Sequence, residues 1–149
     1  MKYSTKLSDT IHILIFIALG DDEQLSSTKK LQKSNQRQNP AYVRQLMANP
    51  EKMQALLSTH KVMRMPLLQK SADKITMYDI YRAVEGDKPL LHLDTDTNPD
   101  CGIGINIQFA IGDFYHEIQN MVDEKMKSIT LQDIIDRYYF KIRKVKNFN

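Results

Sequence analysis

The sequence predicts a mostly α-helical protein in two parts. A basic domain of short helices closed by a small strand pair comes first, and a region built on one long helix follows. Three observations predict this. Charge is divided unevenly: from Gln24 to Lys70, nine Lys or Arg meet one acid, Glu51, for a net +8. From Ser71 onward, ten basic residues meet thirteen acidic ones, for a net −3. Two Asn-Pro helix starts, Asn39-Pro40 and Asn49-Pro50, lie inside the basic segment. Between about Ile103 and Ile129, apolar residues keep helical spacing longer than anywhere else in the chain.

Taken in order, Leu7, Ile11, Leu14, Ile15 and Ala18 follow one helical face. The run Ile11–Gly20 also resembles a signal peptide, with Lys2 and Lys6 before it and small Ala18 and Gly20 at its end. Asp9 and His12 interrupt it, and it is too short to span a bilayer. A buried first helix of a cytoplasmic protein is expected. Asp21-Asp22-Glu23 reads as a turn, and Ser27 as the cap of a weak helix whose one strong apolar residue is Leu31.

The next helix carries the chemistry. Asn39 suits an N-cap and Pro40 the first helical position. Val43, Leu46 and Met47 point one way, and Ala41, Arg44 and Gln45 the other, with Tyr42 at the edge. Arg can grip guanine and Gln adenine through paired hydrogen bonds, so the outward face suits base edges. The alternative is an ordinary solvated face. After Asn49-Pro50, Met53, Leu56 and Leu57 should form an inward helical face, and Lys61–Leu68 one or two short strands with Pro66 at an edge or turn. Helices followed by a short basic strand pair are the order of a winged helix-turn-helix domain, placed at residues 1–75.

The second region, 76–149, opens with a helix that Thr76 and Asp79 should cap and Gly86 should stop. The loop 87–102 follows. In the long helix, Ile107, Ile111, Phe114, Ile118, Met121 and Val122 make a seam close to a/d spacing. A domain this small has little room to bury such a seam, so a long C-terminal dimerisation helix and a homodimer are expected. Thr130 and Asp133 should cap a last helix, with Lys141–Asn149 frayed.

Several chemistries are excluded. A single cysteine, Cys101, permits neither an intramolecular disulfide nor an all-cysteine metal site. Asp94–Asp100 imitates a calcium loop but has Pro99 where Gly is needed and Ile105 where Glu is needed. His92, Asp94 and Cys101 match no standard metal spacing. There is no Gly-rich phosphate loop and no nucleophile elbow, so no enzyme is expected. Cys101 stands just before the long helix, where a thiolate would meet unpaired N–H groups.

The segments Met1–Leu7, Leu25–Ser27, Asn39–Met47, Ile75–Gly86, Asn98–Cys101 and Thr130–Ile134, in that order and spacing, resemble the Rrf-two family of bacterial transcription regulators along nearly the whole chain. The resemblance implies a winged helix-turn-helix homodimer that binds double-stranded operator DNA, usually as a repressor, with 87–102 as a sensor-type loop and no membrane association. It places Tyr42 and Arg44 among groove-reading residues, Ser27 near a phosphate and Lys61–Arg64 in the wing. Lys29, Asn39, Ala41 and Gln45 complete the expected DNA-contacting set. Iron–sulfur members use three cysteines in this loop. This chain has Cys101 alone, so it resembles the cluster-free branch, no cofactor is expected, and Cys101 is the candidate redox residue.

The chain departs from the pattern where Asn49-Pro50 interrupts the recognition helix, where the wing lacks glycine between Thr59 and Lys70, and in a less apolar preceding helix. These departures leave an alternative: a dimeric protein-interaction or small-molecule-sensing module with impaired DNA binding.

Overall fold

A computed structural model describes residues 5–19, 53–59, 66–96, 98 and 100–146. Helix α1, Lys6–Ala18, is the apolar run that resembles a leader. Leu14 is fully buried, and Leu7, Ile11, Ile15 and Ala18 pack around the core, as the helical spacing requires. Buried Thr10 is satisfied locally, because its hydroxyl donates to the Lys6 carbonyl at 2.7 Å. Among the described residues no helix is long and apolar enough to cross a membrane.

The strand pair differs from expectation in position. β1 is Leu57–Thr59 and β2 is Pro66–Leu68, antiparallel, with Leu57 opposite Leu68 and Thr59 opposite Pro66. Met53, Leu56 and Leu57 are all buried, but Leu57 is a strand residue and not part of a helical face. The Gln69 N–H donates to the Leu56 carbonyl at 2.8 Å, which extends the pairing by one bond. Pro66 opens its strand, a position that loses no ladder bond essential to the hairpin. Residues 60–65, on which Lys61 and Arg64 fall, lie outside the described residues.

A 3-10 turn, Ala72–Lys74, leads to α2, Met77–Glu85. Thr76 and Asp79 form the full capping box: the Thr76 N–H donates to the Asp79 carboxylate at 2.9 Å, and the Asp79 N–H to the Thr76 hydroxyl at 3.1 Å. Gly86 ends the helix at φ 73°, a conformation that favours glycine. The Tyr81 ring is buried, and its hydroxyl donates to the Lys88 carbonyl at 3.2 Å. Burial, with the Asp123 and Glu85 carboxylates adding to it, pushes this phenol above its ordinary range.

The long helix is α3, Gly102–Lys127. It stops two residues short of Ile129, where the Ile129 N–H bonds the Met126 carbonyl and the Ile129 carbonyl accepts from Met77. The last helix, α4, spans Leu131–Lys146. Its cap is a second Thr–Asp box, with the Thr130 N–H donating to the Asp133 carboxylate at 2.8 Å and the Asp133 N–H to the Thr130 hydroxyl at 3.1 Å. Those bonds hold the Asp133 carboxyl below its usual range, the backbone bond most. The basic end does not fray at Lys141, as the sequence suggested. The helix continues through Lys146, with Ile142 half-buried and cations suited to the negative end of the dipole.

The two capped starts lie side by side. Thr76 and Thr130 form an isolated antiparallel bridge, with the Met77 N–H donating to the Ile129 carbonyl at 2.7 Å and the Leu131 N–H to the Ile75 carbonyl at 2.8 Å. This bridge aims Ile75 and Leu131 inward, where they join Leu14, Met53, Leu56, Leu57, Ile80 and Ile135 in one core. Leu131→Ala should therefore cost about 2–5 kcal/mol, measured by urea unfolding at equilibrium. A loss below about 1 kcal/mol would mean that Leu131 is not the joint described here.

Candidate DNA-reading segment, sensor loop and long-helix face

The expected DNA-contacting residues Ser27, Lys29, Asn39, Ala41, Tyr42, Arg44, Gln45, Lys61 and Arg64 all lie outside the described residues. What is described is their frame. α1 precedes them all, Met53 and β1 follow Ser27 to Gln45, and Lys61 and Arg64 fall between β1 and β2, with α1 packed on β2 and α2. An open cleft of about 490 Å³ lies beside the hairpin, lined by Ala55, Lys70, Tyr78 and Arg82 among others.

The loop after α2 is held by a few specific contacts. Arg82 pairs with Asp87 at the start. The Leu90 N–H donates to the Gln119 side-chain carbonyl at 2.8 Å, and the Gln119 amide donates to Asp123 at 2.7 Å. Gln119 thus ties the loop to the middle of α3. Sequence reasoning missed it, although it left a signal: Gly112, Gln119 and Met126 recur every seven residues on the inward face, and two of the three are not strongly apolar. Leu93 lies over Gly112: a Cβ there would be 3.4 Å from the Leu93 side chain, an ordinary van der Waals contact.

The loop ends in two tight turns. The Asp96 N–H donates to the Asp94 carboxylate at 2.9 Å, and the Asp100 N–H to the Asn98 side chain at 3.0 Å. The Cys101 N–H then donates to the Asn98 carbonyl at 3.0 Å. Cys101 is the N-cap of α3: its sulfur accepts the Gly104 N–H at 3.3 Å, and the residue is exposed. Among the described residues no three His, Cys, Asp or Glu side chains converge as metal ligands, so His92, Asp94 and Cys101 are not brought together as a site.

On α3, Ile107, Phe114, Ile118 and Met121 are exposed, Met121 at 73% and Phe114 at 64%. Ile103, at 79%, extends the same stripe toward the loop and was missing from the expected seam. Ile111 and Val122 are half-buried, turned toward their own chain. At 1.5 Å per residue, the stripe from Ile103 to Met121 is about 27 Å long. The opposite side packs on α2, where the Lys127 ammonium lies over the Tyr78 ring at 5.0 Å.

Residues 3–137 match the family model Rrf2, described as an iron-dependent transcriptional regulator. The chain is 29% identical over 136 residues to YwnA of Bacillus subtilis (strain 168), named as an HTH-type transcriptional regulator; the match spans 91% of this chain and 98% of that one. Among solved structures it resembles CymR (YrzC), the global cysteine regulator of B. subtilis, with TM-score 0.59 and 23% identity over 92% of this chain and 98% of that one. It also resembles the oxidized form of Staphylococcus aureus CymR, with TM-score 0.55 and 20% identity over 90% and 95% of the two chains. The iron in the family description finds no fit here. A cluster needs several thiolates, and the exposed Cys101 is the chain's one cysteine. The fold, a helical core with a two-stranded wing and a projecting long helix, together with a family match over most of the chain, leads to one assignment: the protein belongs to the Rrf2 family and is a DNA-binding transcriptional regulator, not an enzyme.

Proposed function

We propose that the protein acts in the cytoplasm as a homodimeric repressor of operator DNA, with residues 1–75 as the DNA-reading unit and 76–149 as the dimerisation and sensing unit. The observation that carries the dimer is the exposed apolar stripe Ile103, Ile107, Phe114, Ile118 and Met121. Apolar surface of this length is uncommon on a monomer, and two copies crossing along it would bury it symmetrically. The net +8 of the segment Gln24–Lys70 supports phosphate contact. Arg44 and Gln45, which with Ala41 the helical spacing assigns to one face, and Tyr42 at its edge, are residue types suited to base reading. Ser27, Lys29, Asn39, Lys61 and Arg64 would contact the backbone.

Cys101 is the proposed switch. Peroxide would oxidise its thiol to a sulfenic acid, one oxygen passing to sulfur while the peroxide is reduced to water. The sulfur that changes is the one accepting the Gly104 N–H at the head of α3. The added oxygen would alter the first turn, which carries Ile103 and leads into the stripe.

Three measurements test this reading. In a titration against the DNA upstream of its own gene, Arg44→Ala should weaken binding by about 1–3 kcal/mol and relax base preference, while wild-type affinity should fall steeply with salt. Equal, weak binding to any duplex would instead favour the interaction-module alternative. Ile118→Glu should convert the dimer to monomer in sedimentation experiments; a variant that stays dimeric would place the interface elsewhere. Treatment with peroxide should change DNA affinity in the wild type and leave Cys101→Ser unmoved. The same response in both would remove Cys101 from the mechanism.

A further inference from the structure

We infer that Gln119 and Asp123 form a polar latch that gives the loop 87–102 two positions, docked on α3 and released, with the core intact in both. The inference takes its meaning from the sensing role proposed for this loop and names the residues on which docking turns.

Little apolar burial holds the loop. Leu90 and Leu93 are 46% and 39% exposed, and the contact of Leu93 over Gly112 is ordinary packing. The bonds from Asp94 to Asp96 and from Asn98 to Asp100 close turns inside the loop and fasten it to no helix. Among the described residues, three side chains reach it through polar bonds from the helices. Arg82 pairs with Asp87 at its first residue, and an ion pair this exposed contributes little. The Tyr81 hydroxyl, on α2, donates to the Lys88 carbonyl at 3.2 Å. The Gln119 side-chain carbonyl, on α3, accepts the Leu90 N–H at 2.8 Å. Pro89, between these two bonds, has a fixed φ that stiffens the stem. Beyond Leu90, the chain is tied again where Cys101 caps α3. Gln119 therefore decides whether the stretch between those ends lies on the helix. One such bond changes an opening equilibrium by about two- to tenfold, so the loop opens far more readily than the core.

Gln119 works through its orientation. A primary amide carries an acceptor on one side and donors on the other, and the two sides have nearly the same shape. Only the oxygen can take the Leu90 N–H. Asp123, one turn further along α3, accepts the Gln119 amide N–H at 2.7 Å. An ionised carboxylate accepts and never donates, so it draws the nitrogen and leaves the oxygen for the loop. The same carboxylate adds to burial in raising the Tyr81 phenol. Asp123 thus acts on both side chains that hold the stem: it turns Gln119 and helps Tyr81 keep the proton given to Lys88.

The test is amide-resolved hydrogen exchange on the full chain. The Leu90 N–H reports the latch, and the Leu131 N–H, bonded to the Ile75 carbonyl, reports the core. Gln119→Leu keeps the size of the side chain and removes both bonds. It should speed exchange at Leu90 about five- to tenfold and leave Leu131 unchanged. Gln119→Glu sets two carboxylates against each other and should speed Leu90 similarly. Adding Asp123→Asn supplies an amide that donates to the new carboxylate, and the double variant should return Leu90 to within about twofold of wild type. A Leu90 rate unmoved by Gln119→Leu, or a double variant no slower than Gln119→Glu alone, overturns the latch. Equal acceleration at Leu90 and Leu131 means that loop and core open together, and overturns the two positions. No readout involves DNA or Cys101, so the latch and the proposed function stand or fall separately. Should Gln119→Leu fail to fold, Gln119→Glu with and without Asp123→Asn carries the test.

Discussion

The antiparallel bridge between Thr76 and Thr130 is the constraint on which the described structure depends. It joins residues 54 positions apart, and each threonine also caps a helix. The backbone bonds fix where α2 and α4 start, and the side-chain bonds fix their direction. Ile75 and Leu131, adjacent to the bridge, are thereby driven into the core beside Leu14 of α1. The first helix of the chain and the last are thus packed into one hydrophobic unit.

α3 is free to project for the same reason. Its inward side is pinned by Gln119 to the loop, by Leu93 over Gly112, and by Lys127 over Tyr78. Each of these contacts is short-range and polar or small. None covers the apolar stripe, which faces solvent along most of the helix. The loop that precedes α3 ends on its N-cap, Cys101, whose sulfur bonds the first turn of the helix that carries the stripe. In the proposed function, sensing and pairing share one rigid element, and the loop needs no long pathway to reach it.

Local signals were legible where a few neighbouring residues decide the outcome. Thr76 with Asp79, Thr130 with Asp133, Gly86 as a stop and Cys101 before the long helix all act within one helical turn, and the structure holds them as expected. Leu57 was harder. Its apolar character predicts burial equally well from a helix or a strand, and only pairing with Leu68, eleven residues on, decides for the strand. The Lys141 end was misread for a related reason. Charge density suggests fraying, but Leu131, Ile135 and Tyr139 hold the helix on the core and it continues through Lys146.

The sequence by itself determined the elements whose signals lie within a turn of helix: the capped starts, the amphipathic period of α1 and α3, the split of charge and the single thiol. These follow from hydrogen-bond reach and from the 3.6-residue repeat, both encoded in adjacent positions. The tertiary structure alone decided which face of each helix is left over. Ile111 and Val122 turn toward their own chain while Ile103 and Met121 turn away. Gln119 becomes the loop's anchor, and Ile75 meets Leu131. Burial depends on partners far apart in sequence, so the period of a helix states that it has an apolar side, and only packing states how much of that side remains exposed for another molecule.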